Sequence, residues 1–116
     1  MAVNFDTDTP KGLLSEFDAR ISQSEAKGKI TTWEKSEDGK YYTHKATEWA
    51  KKAWFKAKIT SGCLTFNILK PKNKSVTGVV YAYYHGHLIE TFLNHFDNDF
   101  TLAKASALPT TDDNCS

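Results

Sequence analysis

The chain of 116 residues carries a single arginine, Arg20, among its 15 basic side chains. The planar guanidinium is the group best shaped for two-point recognition of phosphate or carboxylate, so its scarcity argues against sequence-specific reading of nucleic acid. Long hydrophobic runs are also missing. No stretch approaches the ~20 apolar residues of a membrane-spanning helix, and Met1–Pro10 lacks the basic start and apolar centre of an export signal. Only two cysteines occur, Cys63 in an apolar run and Cys115 in a polar tail. A bridge between them would tie the core to the chain end, so two unpaired thiols in a reducing cytoplasm are expected. The six glycines stand singly, which excludes a glycine-rich phosphate loop. Asp97-Asn98-Asp99 lacks the glycine and distal glutamate of a calcium loop. No cofactor, bound metal or membrane partner is expected, and no small-molecule ligand is named.

What is present is an ordinary apolar share, 40%, with aromatics at 13% and charged residues at 25%. That composition suits a folded domain rather than a disordered chain. The net charge of +1 conceals an uneven distribution. Residues 40–74 hold nine lysines against the single acid Glu48, a balance of +8, whereas residues 1–39 carry −3 and residues 75–116 carry −4. A basic middle between acidic flanks favours an anionic partner, contact between its own segments, or association of two copies.

Periodicity divides the chain into a flexible acidic leader (1–9), a single α+β domain (10–108) and a flexible polar tail (109–116). Leu13, Leu14, Phe17 and Ile21 form one helical stripe, with Thr9 and Pro10 as start signals and Gly28 as the stop, predicting a helix over about 10–26. β-branched and aromatic runs at 29–35 and 40–44 flank Asp38-Gly39, a hairpin signal. Residues 46–60 fit both periods; a short helical turn at 46–51 followed by a strand at 52–60 is the reading adopted. A partner strand at 63–70 follows Ser61-Gly62. A strand over 76–84, a turn at His85-Gly86-His87, a helix over about 87–96 and a strand over 100–107 complete the order. Leu93 is placed on the buried stripe of that last helix. The fold class is therefore α+β: a mainly antiparallel sheet of about five to six strands with two amphipathic helices on one face.

The other face of the sheet is where function is expected. If 52–60 is a strand, Lys52, Trp54, Lys56 and Lys58 project from one side of it. Trp33 and Tyr41 are assigned to neighbouring strands of the same face, with Tyr81 and Tyr83 as further exposed aromatics. A contiguous aromatic surface of this kind favours a non-catalytic binding or interaction module with a protein partner or a second copy. The alternative is a single-stranded nucleic-acid binder, in which lysines neutralise phosphates and tryptophan stacks on a base. A third reading places a small-molecule or enzymatic pocket around His85, His87, Glu90 and His95. Glu90 and His87 stand three apart on a helix, close enough for the carboxylate to hold the imidazole.

Overall fold

The computed structural model describes residues 3–116. Its elements run β1 (Val3–Asp6), α1 (Pro10–Ser22), β2 (Trp33–Lys35), β3 (Tyr42–His44), β4 (Trp54–Thr60), β5 (Cys63–Leu69), α2 (Gly78–Phe96) and β6 (Leu102–Ala105). The six strands form one antiparallel sheet in the order β2-β3-β4-β5-β1-β6. The α+β class, the antiparallel sheet and the pair of helices match the sequence expectation. No helix among the described residues is long and apolar enough to cross a membrane.

The core follows from strand and helix periods meeting on one face. Val3 and Phe5 of β1, Phe55 of β4 and Leu64, Phe66 and Ile68 of β5 are all fully buried. Leu13 and Phe17 descend from α1, and Val80, Tyr84, Leu88, Phe92 and Phe96 descend from α2. The five α2 residues recur every four positions, a single stripe along the helix. Phe5 stacks on Phe92 at 4.2 Å, and Phe17 meets Phe66 edge to face at 5.7 Å. Each such ring contributes about 1.5–3 kcal/mol through burial alone.

Several expectations are corrected. Val3–Asp6 of the supposed leader is an inner strand, held between β5 and β6; Met1 and Ala2 of that segment lie outside the described residues. Residues 76–84 are not a strand. α2 begins at Gly78, with the Thr77 hydroxyl accepting from the Val80 amide at 3.3 Å, and runs unbroken through Gly86. The β-forming Val79, Tyr81 and Tyr83 misled there, because burial of the four-residue stripe outweighs local propensity. Leu93 lies off that stripe and is 53% exposed. α1 ends at Ser22, before Gly28, because Gln23 turns extended and its side chain donates to the carbonyls of Glu25 and Lys27. Residues 46–51 form turns, with one helical bond from the Ala50 amide to Ala46.

The polar tail is docked. The Asp113 carboxylate accepts from the Ile68 amide and the Asn67 side chain, each at 3.0 Å. The Asn114 amide then donates to Ile68, and its carbonyl accepts from Lys70, a parallel bridge alongside β5. The tail thus continues the line of β1 past its first residue.

Candidate functional site: a lysine-rimmed aromatic groove

Phe55 faces the helices, so its strand neighbours Trp54 and Lys56, and then Lys58, face away from them. The register places Trp54 opposite Leu69, Lys56 opposite Asn67 and Lys58 opposite Thr65. On the other side Tyr42 pairs with Phe55, which sets Tyr41 on the outer face beside β4. The result is two adjoining clefts that share Tyr41 and Leu69. One, of about 300 Å³, is bounded by Tyr41, Trp54, Leu69, Pro71, Ser36, Lys70 and Lys72. The other, of about 390 Å³, is bounded by Lys56, Lys58, Asn67 and Asp112 as well as the shared pair. Together they make a groove with an aromatic cleft edged by Lys70 and Lys72 and a more polar cleft edged by Lys56, Lys58 and Asp112.

Charge in the groove is unevenly matched. Lys58 pairs with Asp112 at 3.4 Å, but both side chains are more than half exposed, so the pair contributes at most about 1 kcal/mol. Among the described residues Lys56, Lys70 and Lys72 make no ion pair. Asp113, the other carboxylate close by, is occupied by the β5 amide and Asn67.

Of the residues expected on this face, Tyr41, Trp54, Lys56 and Lys58 come together. Lys52 does not: it lies in the turn before β4, with its ammonium 5.5 Å from the Trp49 ring centre. Trp33 is in the core, 1% exposed, and its indole N–H donates to the Thr91 hydroxyl at 3.0 Å. The hairpin register explains the error. Trp33 pairs with His44 and Lys35 with Tyr42, so Trp33 and Tyr41 point to opposite faces. Tyr81 and Tyr83 are on α2. Tyr81 donates to the Ser106 carbonyl at 2.8 Å, and Tyr83 is sandwiched between Trp49 at 3.7 Å and His87 at 4.2 Å.

The histidine group is dispersed around α2. His85 is buried; its Nδ1–H donates to the Tyr81 carbonyl at 2.5 Å, while Nε2 is enclosed without a partner. Burial pulls its pKa down, against the opposing effect of that bond. His87 meets His44, which the sequence reading did not select, at 2.9 Å between ring nitrogens. His95 turns toward α1 and contacts Arg20 at 3.3 Å; burial and then the guanidinium lower its pKa. Glu90 is exposed and shares a shallow cleft with His95, not with His85 or His87. Gly86 lies inside the helix and does not form a strand-to-helix turn. Among the described residues no group of three or more His, Cys, Asp or Glu side chains is placed to hold a metal ion.

Leu69, Lys70, Pro71, Lys72 and Asp112 belong to the groove and were passed over in the sequence. The signal for the first was available: a tight Ser61-Gly62 turn pairs Thr60 with Cys63, and counting back pairs Trp54 with Leu69. The docking of Asp112 by the tail has no comparable local signature. Compared with protein-family models, with curated proteins and with solved structures, the chain matches none, which leaves the chemistry of the groove as the guide to function.

Proposed function

We propose that the protein is a non-catalytic binding module that takes an anionic, flexible ligand across the outer face of its sheet. One observation carries this reading: the aromatic cleft formed by Tyr41, Trp54 and Leu69 is continuous with four lysines, of which, among the described residues, Lys58 alone has a carboxylate partner. The burial of Trp33 also bears on the partner. It leaves the outer face with two aromatics rather than a broad apolar sheet, too little for the core of a stable protein interface. Unpaired cations beside a small apolar cleft suit a polyanion better. The unpaired thiols of Cys63 and Cys115 fit a cytoplasmic setting.

The test is retention on immobilised heparin, a generic polyanion. The wild-type chain is expected to be retained at low salt, and Lys56→Glu combined with Lys72→Glu is expected to elute early with an unchanged melting temperature. Equal retention of the charge-reversed protein would set the reading aside.

A second reading, self-association, is favoured by a different feature. β6 is an edge strand of the sheet, and Leu102 on it is 50% exposed. Sedimentation equilibrium tests it: a dimer that Leu102→Lys dissociates supports the edge, whereas a monomer at all concentrations rejects it.

A further inference from the structure

We infer that the ligand of this groove is single-stranded nucleic acid, bound without sequence preference; the inference rests on the groove being the binding site. The groove offers aromatic side chains in one cleft and lysines along both, the two kinds of group that a nucleotide's base and phosphate require. The cleft of about 300 Å³ lined by Trp54 and Tyr41 has room for one base, with Lys70 and Lys72 at its edge for the adjoining phosphate. Lys56 and Lys58 continue along β4 from Trp54, two residues and so about 7 Å apart. That interval is close to the separation of successive phosphates in an extended single strand. Asp112 holds Lys58 only at an exposed 3.4 Å, so a phosphate can take its place.

The alternatives fit the same surface less well. In a duplex the bases are stacked on one another and present no free face to Trp54, and both helices lie on the opposite side of the sheet. A peptide of glutamates alone would satisfy the lysines yet bring no ring to stack on Trp54. Sequence preference is not expected. The one guanidinium, Arg20, is engaged by His95 and lies over Phe96, away from the groove, and the amide of Asn67, which does line the groove, is buried and donates to Asp113. Stacking accepts any base, because every base has a π face.

The experiment is fluorescence anisotropy of a labelled 12-nucleotide oligothymidylate, with a duplex of equal length and polyglutamate as competitors. Three to four neutralised phosphates give a log–log salt slope of about −2 to −3, or roughly a 20- to 50-fold loss of affinity between 50 and 200 mM salt. Trp54→Ala is expected to weaken binding by about 5- to 100-fold, and Trp54→Phe by much less. Lys56→Ala and Lys72→Ala alter exposed side chains and should each reduce the slope by about 0.7, which keeps the test open if Trp54→Ala fails to fold. Duplex binding as tight as the single strand, or a Trp54→Ala protein that folds and binds unchanged, would overturn the inference. Polyglutamate binding with no oligonucleotide binding would overturn the ligand class while sparing the groove. No binding of either at low salt would remove both.

Discussion

His44 and His87 are locked in one tautomeric arrangement. The Ala46 amide donates to Nδ1 of His44 at 3.1 Å, so that nitrogen carries no proton. His44 Nε2 must then bear the hydrogen and donate it to Nδ1 of His87, 2.9 Å away. A proton added at Nδ1 of His44 would face the Ala46 amide and set two donors against each other. Burial, and then the neighbouring His87, push the pKa of His44 down to about 4, against an ordinary 6.5.

A pH dependence of stability follows. The unfolded chain takes up a proton at His44 below about pH 6.5 that the folded chain refuses until about pH 4. Stability from this residue is therefore complete above pH 6.5 and is lost as pH falls toward 4, by up to about 3 kcal/mol. Urea unfolding of wild type and His44→Gln between pH 4 and 7 checks this: the difference between the two should shrink toward acid. A constant difference would contradict the pairing.

Gly86→Ala distinguishes an unbroken α2 from a turn at that point. A Cβ built at Gly86 meets no atom within 4 Å, and the backbone there is helical. Alanine should stabilise the protein by about 0.5–1 kcal/mol, visible as a rise of a few degrees in thermal unfolding. A fall in melting temperature would indicate that the glycine is needed for a turn.

Leu93 and Phe92 are adjacent in sequence and opposite in consequence. Phe92 is fully buried against Phe5, Phe17 and Phe66, and Phe92→Ala should cost about 3–5 kcal/mol. Leu93→Asp, at a 53% exposed site, should change stability by about 0.5 kcal/mol or less, so chemical denaturation of the pair reads out the helix face directly.

Asp113 fastens the tail. Asp113→Ala removes the acceptor for the Ile68 amide and the Asn67 side chain and should cost about 1–3 kcal/mol. Hydrogen exchange at the Ile68 amide should accelerate accordingly. Unchanged protection would show that the carboxylate is dispensable.

How legible the fold was depended on whether the deciding contacts were local. The β4–β5 hairpin was readable because its turn residues, Ser61 and Gly62, and its alternation stand side by side; Gly62 does adopt the left-handed φ of +80°. β1 was not, although Val3-Asn4-Phe5-Asp6 alternates correctly, because its partners Phe66 and Ala105 lie some 60 and 100 residues away. The first half of α2 was obscured by β-forming residues whose helical stripe is apparent only when Val80 and Tyr84 are joined to Leu88, Phe92 and Phe96. For the site, strand alternation found Trp54, Lys56 and Lys58 but not the tail and loop that complete the groove.

The groove itself is tested most directly by mapping oligothymidylate onto the amide and indole resonances of ¹⁵N-labelled protein. The account predicts saturable shifts at Tyr41, Trp54, Lys56 and Leu69, with the indole of buried Trp33 unmoved. Shifts confined to α1 and α2, or none at low salt, would contradict it.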